Sequence, residues 1–319
     1  MSTTSLAYIF PGQASQYSGM GRDLADNFEA ARRVFEEADD ALGFSISSVC
    51  FEGSAEELQL TENTQPAILT VSVAALRALH GEAAFVPDFV AGHSLGEYSA
   101  LVAAGALNFS DAVRTVRARG RYMQEAVPVG AGAMAAILGA DLKTVMEACV
   151  EAQQTDVCMP ANINAPGQIV IAGNAGAVDR AIALLKERGA KRAIKLNVSA
   201  PFHCPLMMPA QERLAADLEA IVFEDLGRPL VTNVDASIIK AGEGAGEKAR
   251  DALVRQVSSP VRWQESMELL IQKGVETFIE VGPGKVLSGL LRQIKRDARS
   301  LNVEDAASLS ATRGALAAA

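Results

Sequence analysis

Ser94 lies in the stretch Gly92-His93-Ser94-Leu95-Gly96, which fits the pattern G-x-S-x-G. The residues before it, 88–91, are typical of a strand, and those after it, 97–103, of a helix. A serine on such a sharp turn is exposed, and the flanking glycines lack the Cβ atoms that would collide there. The N–H of Leu95 then lies at a helix N-terminus, where a developing negative oxygen is favoured. The stretch predicts a nucleophile with half an oxyanion hole, although a helix-capping serine in a glycine-rich turn would share the pattern.

A serine nucleophile needs a general base, and histidine is the usual one because its pKa lies near neutral pH. The chain has three histidines: His80, His93 and His203. His93 adjoins the serine, so its side chain is expected to point away, and His80 lies at a helix end before the motif. His203 remains, in the serine-before-histidine order of α/β-hydrolases. No acidic residue between Ser94 and His203 stands out at a strand end, which favours a dyad whose imidazole is held by a backbone carbonyl or an amide.

The elements around these residues alternate between strand and helix patterns up to about residue 127, which indicates an α/β fold. A flexible connector begins at residue 128, and the six elements after it follow the order β-α-β-β-α-β, which is the ferredoxin-like arrangement. Alternation then resumes. We predict a large α/β-hydrolase-like subdomain with a parallel sheet core, residues 1–127 and 199–319, and an inserted ferredoxin-like small subdomain, residues 128–198. The tail from about 304 is expected to be frayed and dispensable.

Composition restricts the class of protein. The chain has 319 residues, 49% hydrophobic residues and a net charge of −9, which argues against nucleic acid as the main partner. No apolar run reaches the roughly 18 residues that span a membrane, and the first residues do not resemble a secretory signal. Four cysteines occur without metal-ligand spacing, which predicts reduced thiols and no metal site. We therefore expect a cytoplasmic protein that contacts neither membrane nor nucleic acid. We also expect a monomer, although composition does not bear on this point.

Seven stretches together carry a family resemblance. In chain order they are Phe10-Pro11-Gly12-Gln13-Ala14-Ser15-Gln16, Gly92-His93-Ser94-Leu95-Gly96-Glu97, Arg119-Gly120 with Met123-Gln124, Asn162-Ile163-Asn164-Ala165-Pro166-Gly167-Gln168, Pro201-Phe202-His203, Gln256 with Ser259-Pro260-Val261-Arg262-Trp263, and Glu280-Val281-Gly282-Pro283-Gly284. The chain resembles the malonyl-CoA:acyl carrier protein transacylases, from about residue 6 to 296. Seven motifs in family order are far more specific than any one of them.

The resemblance implies the chemistry and several roles. The family passes malonyl from coenzyme A to the phosphopantetheine thiol of acyl carrier protein through an acyl-serine. It implies Ser94 as the nucleophile, His203 as base and acid, and the backbone N–H groups of Gln13 and Leu95 as the oxyanion hole. It implies Arg119 as the partner of the malonyl carboxylate, which a guanidinium meets with two parallel hydrogen bonds.

Four further residues are implied to bind substrate or support the site. Gln256 would orient His203 through its main-chain carbonyl, and Asn162 would line the pocket floor near the inserted unit. Phe202 and Met123 resemble the malonyl-selective form of the family, in which their bulk leaves no room for a methyl branch. Ordinary core packing would explain both equally well from sequence alone.

The resemblance implies no metal and no permanently bound cofactor, because the coenzyme A thioester is a substrate. The implied partners are malonyl-CoA and acyl carrier protein. Carrier proteins are acidic as a family, so docking on an acidic enzyme needs a basic region. The candidates are Lys186, Arg188, Lys191, Arg192 and Lys195 on the inserted unit, and Lys285, Arg292, Lys295 and Arg296 near the end of the chain.

Three other functions stay open at this point. A trans-acting acyltransferase of a polyketide synthase would use the same motifs with another carrier. A serine esterase or thioesterase would use the same serine, but Arg119, Gln13 and the lack of a clear triad acid count against it. A carrier-binding module without activity would leave Ser94 and His203 idle.

Overall fold

The computed structural model describes residues 5–82, 85–198 and 200–318. Its strands are β1 Ser5–Phe10, β2 Phe89–Gly92, β3 Gly132–Leu138, β4 Cys158–Ala165, β5 Gln168–Asn174, β6 Arg192–Lys195, β7 Leu230–Val231, β8 Ile238–Ile239, β9 Val275–Val281 and β10 Arg299–Val303. Its helices are α1 Arg22–Asn27, α2 Glu29–Leu42, α3 Ile46–Glu52, α4 Ala55–Gln59, α5 Thr61–Glu82, α6 Gly96–Ala103, α7 Phe109–Glu125, α8 Leu142–Gln153, α9 Ala175–Glu187, α10 Met208–Glu219, α11 Ala245–Gln256, α12 Trp263–Gln272, α13 Val286–Ile294 and α14 Ala306–Ala317.

The larger sheet has the strand order β10-β9-β1-β2-β7-β8, and every neighbouring pair is parallel except β7 with β8. Its central strands are nearly continuous apolar runs; in β1, every residue after Ser5 is buried. Such runs are typical of parallel strands that are covered on both faces. The predicted α/β fold with a parallel sheet core is confirmed.

Three strands of this sheet place their carboxyl ends at one edge. Phe10 at the end of β1 pairs with Gly92 at the end of β2, and Ala91 pairs with Val231 at the end of β7. The turns that follow these strands therefore lie side by side. In open α/β sheets, ligands bind in the crevice outside this edge.

The smaller sheet is antiparallel, with the order β4-β5-β3-β6, and its elements follow the predicted order β-α-β-β-α-β. Side chains alternate between the faces of a strand. On β3, Ile137 belongs to a buried cluster with Val145 of α8 and Val178 of α9, whereas Met134 packs into the main core. This sheet therefore carries its own helices on one face and meets the larger body with the other.

The C-terminal segment is ordered, contrary to the expected frayed tail. Strand β10 pairs with β9, and helix α14 follows it with a capping box formed by Asp305 and Ser308. Leu309 and Thr312 are each only 2% exposed. The prediction was wrong because an alanine-rich ending has little apolar periodicity of its own and becomes ordered through packing.

The bounds predicted for the inserted unit, 128–198, stay a prediction, and Ser199, at its return point, lies outside the described residues. Within the described part of the chain, no helix is both long enough and apolar enough to cross a membrane.

Candidate active site

Ser94 occupies the turn between β2 and α6 with a left-handed backbone, φ 51°. Glycines on both sides make this turn possible. A Cβ on Gly92 would lie 1.9 Å from the carbonyl oxygen of Gly96, and one on Gly96 would lie 2.2 Å from the carbonyl oxygen of Phe10. Any larger residue at either position would force the backbones apart. The turn presents the hydroxyl at the carboxyl edge of the sheet.

Asn233 fixes the backbone of this turn. Its Oδ1 accepts a hydrogen bond from the Ser94 N–H at 2.6 Å, and its Nδ2 donates to the Gly92 carbonyl at 2.6 Å. Asn233 itself is 1% exposed. A left-handed non-glycine residue is strained and persists only when its surroundings hold it. The amide of Asn233 provides that hold.

The His203 side chain contacts the hydroxyl of Ser94. Its Nε2 lies 2.7 Å from Ser94 Oγ, and its Nδ1 lies 3.0 Å from the Gln256 main-chain carbonyl oxygen. A carbonyl only accepts, so Nδ1 carries the proton and Nε2 is free to accept from the hydroxyl. Burial, reinforced by the charge of Arg119, lowers the pKa of His203 from 6.5 to about 3. The imidazole is neutral at neutral pH.

Arg119 on α7 is buried, at 2% exposure, beside the same hydroxyl. Its Nη1 donates to Gln65 Oε1 at 2.6 Å, and its Nη2 donates to Gln256 Oε1 at 2.9 Å and to Ser94 Oγ at 3.2 Å. Burial lowers the pKa of Arg119, yet a guanidinium stays cationic in proteins. All three partners are neutral, and among the described residues no carboxylate forms an ion pair with this guanidinium.

A cavity of about 300 Å³ opens in front of Ser94, between the two sheets. Of the residues predicted from sequence, it is lined by Gln13, Ser94, Leu95, Arg119, Met123, Asn162, Phe202 and His203. Met134, Ala136 and Val170 of the smaller sheet form part of its apolar wall. Gln256 lies behind Ser94 and Arg119 and does not line the cavity.

The turn after β1 meets the serine turn closely. A Cβ on Gly12 would lie 2.4 Å from the carbonyl oxygen of His93, so only glycine permits this approach. The Gln13 side chain is held by Thr61, whose Oγ1 donates to Gln13 Oε1 at 3.2 Å. In the described part of the chain, neither the Gln13 nor the Leu95 N–H donates to a protein acceptor. Two backbone donors are thus available at the cavity.

A family profile described as "Acyl transferase domain" matches residues 7–314. The chain belongs to the acyl transferase family. The malonyl CoA-acyl carrier protein transacylase of Bacillus subtilis is 52% identical over 305 residues, covering 95% of this chain and 94% of that protein.

Solved structures agree with the sequence comparison. An acyl carrier protein S-malonyltransferase from Vibrio cholerae superposes with a TM-score of 0.93 at 45% identity, covering 97% of this chain and 100% of that chain. A second match, with TM-score 0.92, 46% identity and 96% and 98% coverage, comes from a complex of a type II PKS acyl-carrier protein with its malonyl-transacylase. Because these matches cover nearly the whole chain, they include the active-site region as well as the rest of the fold.

In this acyl transferase, the His93 side chain is directed to Asn164 and not to Ser94, with its Nε2 2.8 Å from Asn164 Oδ1. It nevertheless lines the cavity, which the sequence did not predict. Its ring also packs against Trp263, with centroids 5.5 Å apart. Burial lowers the pKa of His93. The imidazole therefore links the serine turn to β4, although no hydrogen bond to Ser94 is made.

The acyl transferase also contains polar residues behind the serine that sequence reasoning missed: Gln65, Glu97 and Asn233. Glu97 is fully buried, and burial raises its pKa from 4.5 to about 7. Its Oε2 accepts from Gln256 Nε2 at 2.8 Å and from the Asn233 N–H at 3.0 Å. The one available signal was position, since Asn233 lies two residues after β7 and Glu97 lies in the first turn of α6.

Across the described ranges, no group of three or more His, Cys, Asp or Glu side chains is placed to hold a metal ion. The polar groups that face the cavity are a hydroxyl, imidazoles, amides and one guanidinium, which suit a carboxylated acyl ester.

Proposed function

We propose that this acyl transferase moves malonyl from malonyl-CoA to the phosphopantetheine thiol of an acyl carrier protein in fatty acid synthesis, through a malonyl ester on Ser94. The observation that carries the proposal is the contact of one hydroxyl with both an imidazole and a guanidinium. The imidazole supplies a base, and the guanidinium supplies a site for a carboxylate within reach of the new ester. The relatives named above, which are malonyl transacylases, support the same substrate.

In the first half-reaction, Ser94 Oγ attacks the thioester carbon while His203 Nε2 takes the hydroxyl proton. The carbonyl oxygen becomes an oxyanion, which the N–H groups of Gln13 and Leu95 stabilise; removing one such donor typically costs about 2.7 to 4 kcal/mol in rate. The C–S bond then breaks, and His203 returns the proton to the coenzyme A sulfur. A malonyl-serine ester remains.

The second half-reaction reverses these steps with a different thiol. His203 takes the proton of the phosphopantetheine thiol, whose sulfur attacks the ester carbon. The C–O bond to Ser94 breaks, and the proton passes to Oγ. The ester must survive until the carrier arrives, so the apolar wall of the cavity serves to keep water from it. Ping-pong kinetics follow from this order.

Arg119 accounts for the choice of a carboxylated acyl group. Its neutral amide partners hold the guanidinium in position but leave its charge available to a carboxylate. Met123 and Phe202 line the same cavity, and their bulk leaves no room for a branch on the acyl chain. Asn162 lines the side contributed by the smaller sheet.

The proposed oligomeric state, location and partners follow the expectations from the sequence. The protein acts as a monomer in the cytoplasm, needs no permanently bound cofactor and contacts neither membrane nor nucleic acid. The net charge of −9 supports the last point, because nucleic acid repels an acidic surface. Light scattering at working concentration tests the monomer, and a dimer mass would contradict it.

Mass spectrometry of the protein after brief incubation with malonyl-CoA tests the central step. We expect one malonyl group on the peptide that contains Ser94, transferred to carrier when carrier is added. Ser94→Ala is the control and should stay unlabelled. A label on another residue, no label, or release of malonate in place of transfer would contradict the proposal; the last result would indicate a thioesterase.

A further inference from the structure

Glu97 is a buried carboxylate that the steps above do not use. It is 0% exposed, and no Lys, Arg or His of the described residues forms an ion pair with it; both donors to its carboxylate are neutral. Only Oε2 has partners, and Oε1 has none among the described residues. A carboxylate in such a position is costly to bury. Its position beside Ser94 points to a function that offsets this cost.

The first partner of Glu97 is the side-chain amide of Gln256. Gln256 Nε2 donates to Glu97 Oε2 at 2.8 Å and to the Ser94 carbonyl at 3.0 Å, while its Oε1 accepts from Arg119 at 2.9 Å. If the amide were flipped, its oxygen would face the Glu97 oxygen and its NH₂ would face the guanidinium. Both contacts would be repulsive, because acceptor would meet acceptor and donor would meet donor. Glu97 therefore permits one orientation of Gln256.

The second partner is the main chain of Asn233, whose N–H donates to the same oxygen at 3.0 Å. The Asn233 side chain in turn holds the Ser94 N–H and the Gly92 carbonyl. One oxygen of Glu97 is thus connected through Gln256 to the guanidinium and through Asn233 to the nucleophile turn.

We propose that Glu97 is a positioning residue for substrate choice: its buried acceptor oxygen orients the Gln256 amide, which holds Arg119 where a substrate carboxylate binds. This inference rests on the proposed malonyl transfer and adds a residue that acts only through others. The acceptor oxygen matters, and the negative charge does not. A glutamine at position 97 keeps an acceptor oxygen, whereas a leucine of similar size has none.

The test compares Glu97→Leu and Glu97→Gln by acylation with malonyl-CoA and with acetyl-CoA, each measured as kcat/KM. Loss of the acceptor frees the Gln256 amide, so we expect Glu97→Leu to lower the malonyl-to-acetyl ratio about tenfold or more, as coupled contacting residues commonly do. Glu97→Gln should keep the ratio within about threefold of wild type. Glu97→Asp shortens the side chain and withdraws the carboxylate from Gln256, so it should lower the malonyl-to-acetyl ratio as Glu97→Leu does. It replaces Glu97→Leu in the test if that variant does not fold.

A double variant shows whether Glu97 acts through Arg119. In an Arg119→Ala background, Glu97→Leu should no longer change the ratio. Ser99→Ala is the matched control, since Ser99 lies on the same helix, is fully buried and has no hydrogen-bond partner for its hydroxyl in the described chain. It should leave the ratio unchanged.

Two results would overturn the inference. In one, Glu97→Leu and Glu97→Asp lower the melting temperature and both rates in proportion, with the ratio intact, which is the signature of a purely structural role. In the other, Glu97→Gln lowers the malonyl-to-acetyl ratio as much as Glu97→Leu does. That result would show that the negative charge of Glu97, and not its acceptor oxygen, sets the ratio. Wild type is measured first, because a wild-type protein that does not take up malonyl refutes the proposed function itself.

Discussion

Nη2 of Arg119 lies 3.2 Å from Oγ of Ser94, so the fixed positive charge and the nucleophile are in direct contact. In a malonyl ester, only the carbonyl carbon and one methylene separate Oγ from the carboxylate. The carboxylate therefore stays within reach of the guanidinium before and after the ester forms. An acetyl group has no carboxylate to offer this guanidinium, so under the proposed function Arg119 distinguishes the two substrates.

Arg119→Ala tests this relationship. Leaving a buried carboxylate without its partner costs about 2 to 5 kcal/mol, so we expect the malonyl-to-acetyl ratio of kcat/KM to fall at least about 30-fold. Acylation rates with the two coenzyme A esters give the ratio. Arg114→Ala, on the exposed side of the same helix, is the control and should behave as wild type. A variant at 119 that still prefers malonyl would exclude this role.

The pH dependence of acylation reports His203. Its pKa is lowered from 6.5 to about 3, and in the proposed reaction the unprotonated imidazole is the active form. The base is therefore available well below pH 6.5, and the rate should fall only at more acidic pH. We expect kcat/KM with acetyl-CoA to stay flat from about pH 8 to about pH 5. Acetyl-CoA is used because it has no carboxylate of its own to titrate.

Glu97 titrates within the same pH range, since burial raises its pKa to about 7. A step near pH 7 that disappears in Glu97→Gln belongs to that carboxyl. An inflection near pH 6.5 that persists in Glu97→Gln would show that His203 titrates as an ordinary histidine, against the effect of its burial.

The sequence predicted those site residues that can be recognised from neighbouring residues or from composition. The serine turn is set by residues within a few positions of Ser94, and His203 followed from the scarcity of histidines. Asn233 and Glu97 have no such signal. The Asn233 contact with Ser94 joins residues 139 positions apart, and it depends on two strands ending at one edge of the sheet.

His93 shows the limit of a local rule. A residue next to an exposed nucleophile does direct its side chain elsewhere, but the sequence does not tell what lies there. In the fold, Asn164 of the smaller sheet meets the imidazole at 2.8 Å. The direction of the His93 side chain relative to Ser94 follows from the local turn. Its partner, Asn164, is set by the tertiary fold.

Deletion of residues 305–319 tests the role of the C-terminal helix. The helix covers β10: Thr312 Oγ1 donates to the Asn302 carbonyl at 2.8 Å, and Arg299 donates to the Ala315 carbonyl. Burying a leucine such as Leu309 alone is worth about 1.5 to 3 kcal/mol. We expect the free energy of unfolding in urea to fall by at least about 2 kcal/mol. A protein lacking only residues 318–319 is the control, and equal stability of both would support a dispensable tail.

Some of the basic residues that could bind an acidic carrier form ion pairs within the protein, and others do not. Lys195 pairs with Asp179, Arg188 with Glu151 and Lys285 with Glu304. In the described chain, six of the candidates form no ion pair: Lys186, Lys191, Arg192, Arg292, Lys295 and Arg296. Lys191 and Arg192 are both exposed and lie at the start of β6, whose sheet provides one wall of the cavity. We therefore choose these two residues to test as the contact for an acidic carrier.

Reversing both charges, Lys191→Glu with Arg192→Glu, should raise the KM for carrier about tenfold, because complementary charge mainly speeds association. The malonyl-CoA half-reaction, followed as ester formation on Ser94, should be unchanged. Lys240→Glu with Lys248→Glu makes the same change in net charge beside β8, at the far edge of the larger sheet, and should leave the carrier KM near wild type. Because association through exposed charges is screened by salt, the difference between the two pairs should shrink as ionic strength rises. Equal KM values for both pairs at low salt would place the carrier on another surface.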